Sequence, residues 1–229
     1  MILVPDEVVY TKSQWRLLKE LRVIAEDMMK PLWVSHIHSI VYGSIARGDV
    51  NVDSDVDIFI PNPPSPTLIE TTLELAGKRF ISREIIQATP SYAPKAYLYT
   101  EDRRGYSFPL VKLRPNEAEF YGFAGYLDYD QVKIDVRKPG VDKRLMLITP
   151  TPKGHTESLV HGREGEVANI LGVSVRIVIE RVRTLERREK VGRTGVYLKR
   201  GLNRGEGIST VFEELVRNHA PMRRRARKK

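Results

Sequence analysis

Residues 39–60 constrain the fold of this chain more tightly than any other stretch. The short apolar run Ser39–Tyr42 (SIVY) stops at Gly43-Ser44, and a second run, Asp55–Ile60 (DVDIFI), follows after a polar loop. Both read as short strands. Alternation in the second turns Val56, Ile58 and Ile60 to the core and Asp55 and Asp57 to the opposite face. Two carboxylates two residues apart on a rigid strand repel each other. That repulsion is offset if they hold a hard divalent cation, and Mg²⁺ is usually bound by one or two carboxylates plus phosphate oxygens. Gly43 lets backbone amides approach a triphosphate closely, and the Ser44 hydroxyl and the Arg47 guanidinium can grip its oxygens. Asp53 has the same strand parity as Asp55 and Asp57.

The flanking sequence places this pair in an α+β chain. Thr11-Lys12-Ser13-Gln14 has the form of a capping box. Leu17, Leu21, Ile24 and Met28 follow at helical spacing, and Pro31 is expected to end that helix. Ser65-Pro66 suits the N-cap and first position of a helix reaching about Lys78. The segments REIIQA, KAYLYT, SFPLVKL, EFYGFAGYL and QVKIDV, within residues 82–137, read as strands, which predicts a mixed sheet with flanking helices.

With these residues in view, the chain resembles the nucleotidyltransferases of the DNA polymerase beta superfamily. Gly43-Ser44, ten intervening residues and Asp55-Val56-Asp57 reproduce that superfamily's pattern. The string GSIARGDVNVDSDVDIFI looks most like the small bacterial and archaeal members, the minimal nucleotidyltransferases. The resemblance implies a polymerase-beta-palm-like domain over residues 1–150. It further implies an NTP substrate held at Gly43, Ser44 and Arg47, and two Mg²⁺ ions bound by Asp55, Asp57 and a third carboxylate. Asp135, in the apolar-Asp-apolar run Ile134-Asp135-Val136, is the candidate for that third position, with Asp128 and Asp130 as competitors. The implied reaction is transfer of a nucleoside monophosphate to an acceptor hydroxyl on a nucleic acid or a protein. Two alternatives stand beside it: a transcriptional regulator that senses a nucleotide through this domain, and an antitoxin-like minimal nucleotidyltransferase.

Charge separates the rest of the chain from this domain. Residues 1–150 hold 19 Lys+Arg and 20 Asp+Glu, whereas residues 151–229 hold 19 and 9. A basic segment of this kind suits a polyanion such as DNA or RNA. Glu164–Leu171, the turn Gly172-Val173-Ser174, a longer helix from Val175 to Lys190, and a hairpin at Gly192–Lys199 have the order of a winged helix-turn-helix. That domain is expected over 151–222, followed by a basic tail, 223–229. Arg176, Arg183, Arg187 and Lys190 on the long helix, Arg193 in the wing, and Arg223, Arg224 and Arg225 in the tail are its candidate nucleic-acid contacts. A protein-docking module is the plainer alternative. His36 and His38 read as packing or surface residues, His155 as a loop residue, and Trp15 and Trp33 as core anchors.

Composition narrows the classes further. The chain has 29% charged residues and no eighteen-residue apolar run, so no membrane span is expected. Without cysteine there is no disulfide framework, thiolate zinc site or cysteine nucleophile. The N-terminus lacks the pattern of a signal peptide, and a cytoplasmic protein is expected. Three Gln, six Asn and no Cys match a thermophile's avoidance of labile residues.

Overall fold

The computed structural model describes residues 6–101, 103–192 and 195–227. Along the chain run β1 (Asp6–Val9), α1 (Lys12–Val34), β2 (Ile40–Tyr42), α2 (Ser44–Arg47), β3 (Val56–Phe59) and α3 (Pro66–Leu75). Then come β4 (Ser82–Gln87), β5 (Lys95–Glu101), β6 (Arg104–Pro109), α4 (Pro115–Ala124), β7 (Tyr126–Asp128) and α5 (Tyr129–Lys133). The last part holds β8 (Gly140–Val141), β9 (Met146–Thr151), β10 (Gly154–Leu159), α6 (Glu164–Leu171), α7 (Val175–Val191), β11 (Leu198–Gly201), α8 (Ile208–Asn218) and α9 (Ala220–Arg227). Among the described residues no helix is long and apolar enough to cross a membrane.

Two compact units share the chain, and neither is continuous in sequence. The first takes residues 1–26, 41–56 and 118–194; the second takes 27–40, 57–117 and 195–229. The first unit holds an antiparallel sheet in the order β1-β10-β9-β8, the adjacent pair β2-β7, and helices α6 and α7. Phe123, Val141, Leu147 and Val160 share one core with Val167, Ala168, Ile177, Val178 and Val182. The second unit orders its strands β11-β4-β5-β6-β3, and α3, α8 and α9 belong to it.

Several local signals act as expected. Thr11 and Gln14 exchange the two bonds of the capping box, and the Ser65 hydroxyl accepts from Leu68 N at the start of α3. Ser174 caps α7, and Gly172 ends α6 in the left-handed region with φ 64°.

Other expectations are corrected. Pro31 lies inside α1, which continues one turn to Val34. Pro31 removes the bond its N–H would give to the Asp27 carbonyl and crowds that carbonyl, and the helix ends one turn later. The buried stripe of α1 is Leu18, Arg22, Ala25, Met28, Met29 and Leu32, one position round from the one expected, and Trp33 is 49% exposed. EFYGFAGYL is mostly helix, because Pro115 at the head of α4 and Glu117 in its first turn outweigh its aromatics. QVKIDV is not a strand either. Asp128 and Gln131 form a capping box that starts α5, and the chain turns out of it at Asp135, φ 55°.

The expected boundary at residue 150 falls inside β9, whose hairpin with β10 belongs to the first unit. The α6–α7 pair shares its core with residues before that boundary, so it is not a separate domain. No wing hairpin follows α7. β11 instead pairs antiparallel with β4, joining Leu198 to Gln87 and Gly201 to Glu84. Residues 223–227 are not a free tail but the end of α9. Arg193, Lys228 and Lys229 lie outside the described residues.

Candidate functional site

The turn after β2 is built around a glycine with φ 83° and ψ −143°. That backbone, rather than space, requires Gly43: a Cβ there would meet nothing within 4 Å. Gly43 N donates to Gly125 O at 2.9 Å, while its carbonyl accepts from Ala46 and Arg47 and opens α2. The amides of Ser44 and Ile45 are the first of this short turn, where helix geometry supplies no internal acceptor. Gly48 closes it at φ 105°, and there space matters as well. A Cβ would stand 2.7 Å from Arg137 Cδ.

Ser44 ties this turn to the acidic loop. Its hydroxyl donates to Ser54 Oγ at 3.2 Å, Ser54 Oγ also accepts from Asn51 N at 3.0 Å, and Asp53 N donates to Asn51 Oδ1 at 2.8 Å. The loop is thereby folded up to Asp55, which is exposed immediately before β3. Asp57 lies within β3 and is half-buried, while Val56 and Ile58 on either side are buried. The alternation expected for the pair is present.

Arg47 has a different part from the one expected. It is 5% exposed. Nε and Nη2 donate to the two Asp49 oxygens at 3.0 and 2.9 Å, and Nη1 reaches Ala124 O at 2.7 Å and Val141 O at 3.4 Å. A guanidinium committed in this way holds the first unit together and is not available to phosphate oxygens. Arg22, not singled out from the sequence, does related work. It is buried, and it donates to Ile45 O through Nε and Nη2 at 3.3 and 3.1 Å and to Val136 O at 2.7 Å. Burial lowers its pKa, and the Asp135 charge opposes that. The available signal was its position four residues after Leu18, on the apolar stripe of α1.

The candidates for the third carboxylate are on helix ends and turns. The Asp135 side chain is 78% exposed, 3.6 Å from Arg22 Nη1. Asp128 Oδ1 accepts from Gln131 N at 2.9 Å as the cap of α5, and Asp130 is in the first turn of that helix. Among the described residues no group of three or more His, Asp or Glu side chains could hold a metal ion. Asp55 before β3 and Asp57 within it remain, and that donor set fits a Mg²⁺ ion completed by phosphate oxygens and water rather than an all-protein cage.

The basic candidates of the last third separate by burial. Arg176, Arg183, Arg187 and Lys190 are exposed on α7, opposite the buried Ile177, Val178 and Val182. Arg176, Arg183 and Arg187 line a shallow surface with Val175, Ile179, Glu180 and Thr184. Arg224 is exposed, and Arg223 is half-buried with Nη2 donating to Arg217 O at 2.9 Å. Arg225 is a core residue. It is 3% exposed and donates through Nη2 to Glu117 Oε2 at 2.6 Å and Lys112 O at 2.7 Å. His155 is buried between Tyr10 and Glu157, with Nδ1 2.7 Å from the Tyr10 hydroxyl and Nε2 3.1 Å from Glu157 Oε1. It is a packing residue within β10 rather than the loop residue expected; His36 and His38 are exposed.

Comparison with protein families matches residues 21–113 to the nucleotidyltransferase domain. The matched span contains Gly43, Ser44, Asp55 and Asp57, and ends before Asp128, Asp130, Asp135 and all of α6 and α7. No curated protein and no solved structure matches the chain.

Proposed function

We propose that the chain transfers a nucleoside monophosphate from an NTP to an acceptor hydroxyl on a nucleic acid. One observation carries this reading. The left-handed Gly43 turn is hydrogen-bonded through Ser44 and Ser54 to the loop that delivers Asp55-Val56-Asp57, inside the span that matches a nucleotidyltransferase domain.

The Ser44 and Ile45 amides bind phosphate oxygens, the Ser44 hydroxyl holds the acidic loop through Ser54, and Arg22 fixes the turn by holding the Ile45 carbonyl. Asp55 and Asp57 would hold Mg²⁺, which when bound supplies charge neutralisation on the triphosphate. In the reaction the acceptor oxygen bonds to the α-phosphorus, the bond to the β-phosphate bridging oxygen breaks, the hydroxyl proton passes to solvent, and pyrophosphate leaves. The exposed arginines of α7 recruit the nucleic acid through its phosphates.

The test is incubation with each α-labelled NTP, Mg²⁺, and total cellular RNA, DNA and protein. Label on nucleic acid, lost in Asp57→Asn, is the expected result. Label on protein moves the acceptor class, and binding of NTP without any labelled product favours the regulator.

A further inference from the structure

The second unit carries a surface that the nucleotide-binding residues do not use. Alternation across β4, β5, β6 and β3 gives its sheet two unlike faces. One holds Ile85, Ala96, Leu98, Tyr106, Phe108 and Ile58, all essentially buried. α3 covers that face, as the Arg83–Glu70 pair at 2.7 Å shows, since Arg83 has the parity of Ile85. The other face carries Asp57 and Phe59 on β3, and Lys95, Tyr97 and Tyr99 on β5. Glu84 pairs across with Tyr97 from β4.

Tyr97 and Tyr99 are both half-buried, their rings 13° from parallel and their centroids 6.1 Å apart. That separation is close to the two-residue repeat of a strand, so both rings rise side by side from the same face. Burial raises both phenols, and the Asp57 charge adds to both shifts. Lys95 sits 5.1 Å over the Phe59 ring on the same face. Burial brings its pKa down to about 8, so it keeps its charge at neutral pH.

From this juxtaposition we infer that Tyr97 and Tyr99 form a stacking platform for the terminal, unpaired base of a single-stranded nucleic-acid acceptor, with Lys95 toward its phosphodiester. The inference rests on the transfer reading and names its acceptor. Two parallel rings on one strand offer π-faces against which a base can stack, because every base has a π-face. The lysine beside them matches an anionic backbone. Asp57 on the same face puts a carboxylate of the proposed site beside the strand end.

The experiment is fluorescence anisotropy of the full chain with a labelled single-stranded oligonucleotide at several salt concentrations, beside a blunt duplex and free NTP. Stacking and phosphate contacts differ in salt response, since only phosphate contacts release counterions. Tyr99→Ala and Tyr97→Ala should each weaken single-strand binding about tenfold at every salt concentration with the slope unchanged. Tyr99→Phe and Tyr97→Phe should bind like the unsubstituted chain. An oligonucleotide with 5-iodouracil at its 3′ end should cross-link to Tyr97 or Tyr99. Unchanged single-strand affinity in both alanine variants, or a cross-link elsewhere, would overturn the platform. Equal weakening of NTP binding would overturn it as an acceptor site and give it to the incoming base. If the alanine variants lose strand binding while the unsubstituted chain transfers no label, the platform stands and the transfer reading falls.

Discussion

Arginine has opposite fates in the turn at residues 43–49 and on helix α7. In the turn, Arg47 lies among backbone carbonyls and a half-buried carboxylate, with its fork matched to Asp49 and its remaining side to Ala124 and Val141. On α7, Arg176, Arg183 and Arg187 stand in solvent on the face away from the core. Both sets read as phosphate ligands when only neighbours in sequence are considered. What separates them is whether donors are already satisfied inside the protein. A buried guanidinium with matched acceptors is a packing element. An exposed one on a basic helix keeps its donors for a partner.

The sharpest way to break this contrast is Arg47→Ala. It would leave Asp49, 11% exposed, without its counter-charge. Removing one member of a buried pair costs about 3–5 kcal/mol, and chemical denaturation should show a loss of that size. Arg47→Lys should recover only part of it, because a point charge cannot replace the fork. A change no larger than those for α7 would collapse the distinction.

A cation of the second unit sharpens it through pH. The Lys95 pKa is about 8 in the folded chain against 10.5 ordinarily. Between those values the unfolded chain binds the extra proton, so this group makes stability rise with pH and its contribution is lost as pH falls toward 8. Tyr10 and Tyr97, both raised to about 12, act in the opposite sense and only from about pH 10 upward. Thermal unfolding from pH 7.5 to 9.5 should therefore climb, and Lys95→Met should flatten that climb.

On α7 the expected stability effect is smaller and the binding effect specific. Arg176→Ala, Arg183→Ala and Arg187→Ala should each change stability by less than about 0.5 kcal/mol. Each should reduce the salt slope of duplex DNA binding by about 0.9. An unchanged slope in the triple variant would make this face a protein-docking surface. The smallest effect belongs to Asp135→Asn. With an exposed carboxylate 3.6 Å from Arg22, it should cost within about 1 kcal/mol and leave transfer near its original rate. A transfer rate lowered a hundredfold would restore Asp135 as the third carboxylate.

Much of the local structure was legible from residue order. The capping box at Thr11, the Ser65-Pro66 start, the Gly172 stop and the alternation of β3 all depend on neighbours within four residues. The Asp128–Gln131 box is as local, and its two bonds start a helix where the apolar alternation after it predicts a strand.

The sequence by itself determined the Gly43-Ser44 turn, the strand carrying Asp57 with Asp55 just ahead of it, and the helix pair α6–α7, because backbone sterics, capping and side-chain alternation are short-range. The tertiary structure alone decided which cations are buried, that β11 pairs with β4 rather than forming a wing, and that α6 and α7 share a core with Phe123 and Val141. It also set Tyr97 and Tyr99 on the face of Asp57. Burial, strand pairing and shared cores depend on which distant segments meet, and a pattern of near neighbours carries no record of that.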